Sequence, residues 1–543
     1  MTLTSRLMGW MFKLPPAETY DVVVEREIKV PMPDGVNLLA DHYYPRGSAK
    51  LPTILVRSPY GRGNIWGLVF ARFFAERGFQ VLVQSCRGTF GSGGEFDAFR
   101  NERTDGLATV EWLKKQPWFS GEFATLGPSY LGLVQWAIAA DAGPELKAMM
   151  TQITSSEFRN SDYIGGSFGL DTSVFWINLM THQEDSHMAA LSAQRSDKKL
   201  RPALNHFPLS EVDMVAVGKP VPYFREWLEY HEDNDQWKEV DFSPTVPQVT
   251  APVLQLGGWY DIFLPHTFAD YERLRGAGRN PYLTIGPWAH NDLRWMPTAV
   301  RESLMWLRAH VLNDRSSLRE KPVRLYVMGA NEWREYDAWP PAGYADQRWH
   351  LQADKGLSPQ TPADSDPDHY RYDPADPTPA VGGASLSQNA GPKDNRALEA
   401  RPDVLCYTSA PLEGDVEVIG AVRAELYVQS SLAHTDFFAR LCAVDPSGKS
   451  INLCDGILRL RPGCPDPEAD GCLKIAINLW PTAYRFQKGH RIRLQVSSGA
   501  HPLFVRNPGS GEPLATATTL CVAEQSVYHD PSHPSAIILP VKV

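Results

Sequence analysis

The sequence predicts an α/β domain with a largely parallel sheet, interrupted by a mostly helical insertion and followed by an all-β domain of sandwich or jelly-roll type. Three observations carry this. Short apolar strand patterns alternate with amphipathic helix patterns up to about residue 146 and resume after about residue 245. Between those points clear long strands give way to aromatics, Met, His and mixed charge. Beyond residue 400, period-two alternation recurs in short runs separated by turn residues. A chain of 543 residues is also too long for one ordinary domain.

The elements follow in order. Residues 20–45 alternate apolar and polar side chains and read as two strands joined at Pro33-Asp34-Gly35. Residues 51–58 and 79–85 are densely apolar, as strands buried on both faces are. A helix is expected between them over 66–77, and a second over 104–116. A short strand at 122–126 runs into Gly127-Pro128-Ser129-Tyr130-Leu131-Gly132, and an apolar helix continues over 131–140. The insertion carries helix patterns near 173–190 and 222–230. Strands return at 252–256 and 282–285, followed by a helix at 300–313 and a strand at 323–328. Residues 350–400 are rich in Pro, Asp, Gly and Ser and read as loops at a domain junction. Strands are then expected at 416–428, 436–444, 473–479, 491–496 and 537–543. The boundaries become 1–145 and 246–348 for the two parts of the α/β domain, 146–245 for the insertion and 349–543 for the β domain.

Composition removes several function classes. The formal net charge is -10 and no long Lys/Arg block occurs, so a nucleic-acid partner is set aside. The seven Cys form no C-x-x-C pair, which argues against a disulfide framework or a zinc knuckle and for a reducing cytoplasm. At the N-terminus an apolar run after Arg6 is broken by Lys13 and Pro15, so a packed extension is expected rather than a signal peptide. No apolar stretch reaches membrane-spanning length, and no membrane partner is expected. The assembly state stays open, a homo-oligomer included.

Ser129 is the first candidate for chemistry. It lies between a strand and a helix, where a sharp turn would expose its hydroxyl and the helix N-terminus would offer N–H groups to an oxyanion. Its flanking glycines are at 127 and 132, so the pattern is a shifted form of the usual elbow; a serine capping an ordinary helix is the alternative. Asp261 and His290 each follow an apolar strand and a Gly-rich turn, in the order Ser, acid, His. His266 is the rival base. Tyr60, just past another strand, is a candidate oxyanion donor together with the backbone N–H of Tyr130; a packed tyrosine is the alternative. The glycine-rich stretch 87–95 follows a strand but lacks a Gly-Lys-Ser/Thr ending, so a tight loop beside the site fits better than a phosphate cradle. Arg87 is expected against Asp105 or Glu95. No His-Glu-x-x-His run exists, and Asp41-His42 and His231-Glu232-Asp233 are scattered, so neither a metal nor another cofactor is expected. Carbohydrate binding by the β domain is the non-enzymatic alternative, but it leaves the three strand-end segments of the first half unexplained.

Several segments in order resemble the cocaine esterase-like (CocE/NonD) hydrolases, related to the X-Pro dipeptidyl-peptidases and the α-amino-acid ester hydrolases. They are Pro31-Met32-Pro33-Asp34-Gly35-Val36, Arg57-Ser58-Pro59-Tyr60, Gln84-Ser85-Cys86-Arg87-Gly88, the Gly127 to Gly132 run, Gly258-Trp259-Tyr260-Asp261 and Gly286-Pro287-Trp288-Ala289-His290. Thr435-Asp436-Phe437, Leu453-Cys454-Asp455-Gly456 and His533-Pro534-Ser535 extend the resemblance through the β domain. It implies an α/β-hydrolase domain with an inserted helical cap and a C-terminal jelly roll. It also implies Ser129 as nucleophile, His290 as base, Asp261 as orienting acid, and Tyr60 O–H with Tyr130 N–H as the oxyanion hole. The α-amino-acid ester hydrolases place an acidic pair just after the catalytic aspartate; here that stretch is Ile262-Phe263-Leu264. Trp259 and Phe263 instead point to an apolar pocket. A small carboxylic ester is therefore the expected substrate, with an X-Pro dipeptidyl-peptidase or another amide or acyl hydrolase as the alternative.

Overall fold

Strands apolar on both faces form the centre of a ten-stranded sheet in the computed structural model, which describes residues 2–48, 50–185, 197–229, 235–463 and 467–543. The strands are β1 (Val22–Pro31), β2 (Asn37–Pro45), β3 (Thr53–Ser58), β4 (Gln80–Ser85), β5 (Phe123–Pro128), β6 (Leu146–Gln152), β7 (Val253–Tyr260), β8 (Tyr282–Ala289), β9 (Val323–Val327) and β10 (Glu332–Tyr336). Their order is β1-β2-β4-β3-β5-β6-β7-β8-β9-β10. The run from β4 to β9 is parallel, and antiparallel strands close both edges. Every residue of β3, β4, β5 and β7 is buried, which is why these strands read as continuous apolar runs.

The sequence pattern places the chain from 146 in the insertion, yet Leu146–Gln152 is a central strand paired with β5 and β7. Its Leu, Lys, Ala and Met residues lack the β-branched bias that marks strands, so the pattern was silent. The glycines at 257–258 and 286 were read as turns, but β7 runs on to Tyr260 and β8 to Ala289. They mark close approach instead: a Cβ on Gly258 would stand 2.2 Å from the Trp288 carbonyl oxygen.

The N-terminal extension is a helix, α1 (Thr2–Met11), whose Ser5 hydroxyl donates to the buried Glu76 carboxylate. The segment 64–75 is helical with a π turn at Leu68–Arg72. Helices α2 (Glu102–Lys114) and α3 (Tyr130–Ala139) pack on each other beside the sheet. The insertion contributes α4 (Leu170–His182), α5 (Asp197–Leu204), α6 (Val212–Val217) and α7 (Pro222–Glu229). Helix α4 ends at His182 and a turn follows over 183–185; the rest of its expected run to 190, and the expected extension of α7 to 230, lie outside the described residues. Helices α8 (Leu264–Gly276) and α9 (Met296–His310) complete the domain. No helix among the described residues is long and apolar enough to cross a membrane.

The C-terminal domain is an antiparallel β-sandwich of eleven strands. They are β11 (Tyr344–Gln352), β12 (Gly356–Ser358), β13 (Asp368–Tyr372), β14 (Leu405–Ser409), β15 (Val416–Ser430), β16 (Thr435–Val444), β17 (Ser450–Leu460), β18 (Leu473–Phe486), β19 (Arg491–Ser497), β20 (Ala523–Tyr528) and β21 (Ala536–Lys542). Among these strand pairs of the described residues, only the short contact of β12 with β14 is parallel. The expected boundary at 348/349 cuts β11, which pairs with β21 over its length. Strand β17 carries no clear period-two signal because Asn452, Asp455 and Gly456 break its alternation. Asp455 is needed there: it accepts from wholly buried Arg440 at 2.8 and 3.0 Å, so the charge is paired inside the sandwich.

The insertion docks on this domain backbone to backbone. Arg459 N–H donates to the Gly165 carbonyl at 2.8 Å. Gly165 has φ +54°, and a Cβ there would stand 1.8 Å from the Ile457 carbonyl oxygen. Gly165→Ala is therefore expected to destabilise this contact by about 2 kcal/mol or more. The measurement is the urea midpoint together with tryptic cleavage between 160 and 230; an unchanged midpoint and cleavage rate would contradict the docking.

Candidate active site

Ser129 stands on a strained turn directly after β5. Its φ is +55° and ψ -125°, a region costly for any residue with a Cβ. The surroundings hold it there. Its N–H donates to the Gln152 carbonyl at 2.9 Å, and its carbonyl accepts from Gly132 N–H at 2.8 Å and from the Thr154 hydroxyl at 2.6 Å. A Cβ on Gly127 would lie 2.4 Å from that of Leu131, and one on Gly132 would lie 2.4 Å from Thr154 Cγ2. The shifted glycine thus answers a close approach by the chain just after β6.

The ends of β7 and β8 bring Asp261 and His290 to the same edge. His290 Nε2 is 3.0 Å from Ser129 Oγ, and its Nδ1 is 2.9 Å from Asp261 Oδ2. Asp261 is wholly buried, and its other oxygen accepts from Phe263 N–H at 2.7 Å. A carboxylate fixed in this way keeps a proton on Nδ1 and leaves Nε2 free to take one from the serine. His266 faces Glu157 at 3.6 Å and is not part of this series.

Two tyrosines flank the serine in different ways. The Tyr60 phenol oxygen accepts from the Trp176 indole N–H at 3.1 Å, so its own proton is available to the Ser129 side. Burial pushes its pKa up to about 12, which keeps it a neutral donor. Tyr130 is the first residue of α3, so its backbone N–H has no acceptor within the helix. Its side chain points elsewhere: the phenol donates to Glu102 at 2.8 Å and accepts from Phe99 N–H at 2.9 Å. Burial, then the Glu102 charge, drives that phenol well up. Glu102 in turn pairs with Arg57 at 2.9 Å, both nearly fully buried.

The serine opens into a cavity of about 1120 Å³, walled by Phe90, Phe99, Phe158, Trp176, Trp227 and Phe263 among others. The Phe263 ring meets the His290 imidazole edge to face at 5.4 Å. Trp259 does not reach the cavity. It is 2% exposed, donates its indole N–H to the Tyr326 carbonyl and packs on Phe268 and Trp339, so its expected pocket role is corrected to a core one. The glycine-rich loop folds on itself through Gly88 N–H to the Gly93 carbonyl and presents Phe90 to the cavity. Arg87 pairs with Asp105 and with Asp34. Asp41 pairs with Arg26 and Arg62, and His42 contacts Gln80. His231-Glu232-Asp233 lies outside the described residues. Among the described residues one group, Glu468, Asp470 and His533 on the β domain, has metal-ligand spacing, but both ring nitrogens of His533 already face carboxylates.

The insertion's share of the cavity has no signature in the sequence. Phe158, Asp162, Trp176 and Trp227 carry no motif, and one Trp in 16 has no signal of its own. Leu386, from the loop-rich segment of the β domain, also reaches the wall, with its carbonyl accepting from Asn291.

Residues 34–292 match the family model of the X-Pro dipeptidyl-peptidases (S15 family), and residues 317–538 match that of the X-Pro dipeptidyl-peptidase C-terminal non-catalytic domain. A cocaine esterase of Rhodococcus sp. (strain MB1 Bresler) is 32% identical over 95% of this chain and 98% of its own length. Among solved structures, an α-amino acid ester hydrolase superposes with a TM-score of 0.82 at 23% identity, covering 97% of this chain and 98% of that one. An aminopeptidase from a Thaumarchaeota archaeon gives 0.81 at 22% identity, covering 97% of each. The chain therefore belongs to the CocE/NonD family of serine hydrolases, related to the X-Pro dipeptidyl-peptidases of family S15 and the α-amino acid ester hydrolases.

Proposed function

We propose that this chain hydrolyses small carboxylic esters through an acyl-enzyme formed on Ser129. The observation that carries the reading is the unbroken series from Ser129 Oγ through His290 to buried Asp261 at an aromatic cavity. His290 takes the Ser129 proton as the hydroxyl oxygen attacks the ester carbonyl. The oxyanion is held by the Tyr60 phenol and the Tyr130 backbone N–H. The C–O bond to the alcohol breaks, and His290 gives that leaving group its proton. Water then repeats the sequence on the acyl-enzyme and releases the acid. The reaction balances without a cofactor.

The ester reading rests on the apolar Ile262-Phe263-Leu264 stretch beside the acid and on Phe263 against the imidazole. The 32% identical relative bears the name of an esterase, which supports it. The match to the X-Pro dipeptidyl-peptidase models supports a peptidase as the second reading. A steady-state comparison of short and long aryl esters with a Gly-Pro-anilide decides between them. Turnover of the esters alone is expected; serine-dependent cleavage of the anilide would favour the peptidase.

Ser129→Ala should lower ester turnover by about 10⁶-fold and retain no labelled acyl group after denaturation. A label still bound would refute the nucleophile. Tyr60→Phe should lower kcat by about 10²-fold with KM little changed, because the phenol acts on the oxyanion rather than on the ground state. An unchanged kcat would remove Tyr60 from that role.

A further inference from the structure

The glycine-rich loop holds an aromatic residue in a backbone conformation that bulky side chains rarely adopt. Phe90 has φ +45°, a strained region for any residue with a Cβ. Two side chains from outside the loop fix it there. Arg62 Nη1 donates to the Phe90 carbonyl at 2.9 Å, and Arg62 is itself anchored on Ser85 at 2.6 Å and on Asp41 at 3.1 Å. Glu184, just past α4 in the insertion, accepts from Phe90 N–H at 3.0 Å. Its neighbour Gln183 donates to the Pro59 carbonyl at 3.0 Å, so the end of α4 grips both the loop and the segment that carries Tyr60. The ring rests on the backbone beside Tyr60: a Cβ on Gly61 would stand 3.0 Å from Phe90 Cε1. Phe90 is half-buried and lines the cavity together with Tyr60, Gly61 and Glu184.

The order of the strands decides which part of a substrate meets this ring. Along the edge that carries the site, the loop with Phe90 follows β4, Tyr60 follows β3, Ser129 follows β5 and His290 follows β8. Strand β3 lies between β4 and β5, and β8 lies on the other side of β5. His290 gives the leaving alcohol its proton in the proposed reaction, so the alcohol belongs toward β8 and the acyl part toward β3 and β4. We propose that Phe90 is a specificity residue whose ring stops the acyl chain, and that Glu184 is the positioning residue that holds the ring at the stop. A short acyl group ends before the ring. A long one must displace it against the hydrogen bonds from Arg62 and to Glu184. The inference rests on hydrolysis at Ser129 and names the substrate class of that site as short-chain acyl esters.

The test compares kcat/KM for one aryl alcohol esterified with butanoate and with decanoate, expressed per site labelled by a fluorophosphonate. The wild type should favour the butanoate. Phe90→Gly removes the ring without new strain, because glycine adopts this φ freely. It should raise the decanoate-to-butanoate ratio by about 10-fold or more. Glu184→Ala should raise the same ratio by releasing the Phe90 N–H, and should add nothing in the Phe90→Gly background. Glu184→Gln, whose side-chain carbonyl still accepts that N–H, should keep the wild-type ratio. A second series fixes the butanoyl group and lengthens the alcohol from ethyl to octyl; Phe90→Gly should leave the ratio in that series as it is in the wild type. A wild type that favours the decanoate, an acyl ratio unchanged in Phe90→Gly, or an equal shift in the alcohol series overturns the proposal. Glu184→Gln behaving as Glu184→Ala, or additive effects in the double variant, removes Glu184 from its role. The labelling itself separates the two readings. Absent labelling of the wild type strikes the nucleophile, whereas full labelling with an unchanged acyl ratio overturns the role of Phe90.

Discussion

The site depends on one backbone turn. Ser129 occupies a conformation that costs of order 1–3 kcal/mol for a residue with a side chain, and neighbouring groups must over-determine it. They come from both sides of the sheet position: Gln152 at the end of β6, Thr154 just beyond it, and the first turn of α3. Leu131 and Thr154 press so closely on Gly127 and Gly132 that neither glycine has room for a Cβ. The hydroxyl meets His290 only because this turn lifts it out of line with both strand and helix.

A second layer fixes the same turn from behind. Arg57 leaves β3, pairs with Glu102 of α2, and Glu102 takes the Tyr130 phenol. A charge this deep must be paired, and besides Glu102 Arg57 donates to Gln84 and to the Glu102 carbonyl. The result ties the strand that leads to Tyr60 to the helix that begins at Tyr130. The two oxyanion donors proposed for the reaction therefore share one buried scaffold. Removing the Tyr130 phenol would loosen α3 where its first N–H must stay aimed.

Much of this was legible in the sequence, and the reasons differ by element. The central strands were readable because burial on both faces leaves dense apolar runs. The meeting of Ser129, Asp261 and His290 at one edge is readable because each follows such a strand. The strand at 146–152 was not, since Met and Ala fill a buried strand without marking it. The glycines of β7 and β8 misled, because close backbone approach and turning call for the same residue. Trp259 misled for a related reason: proximity in sequence to Asp261 says nothing of the face it takes, and alternation sends it into the core. The place of Trp176 in the cavity wall is invisible in the sequence because it arises from the fold of the insertion.

The cavity wall joins the α/β domain, the insertion and the β domain. Phe90 and Phe263 come from the α/β domain, Phe158, Trp176 and Trp227 from the insertion, and Leu386 from the β domain. The groups proposed to break the bond sit on strand ends, while much of the aromatic cavity wall hangs from elements with no part in the sheet. Recombination between relatives could exchange the insertion and re-tune what is accepted while leaving the chemical step intact. It would succeed only where the incoming insertion also keeps a glycine at the point where it lies against the β domain.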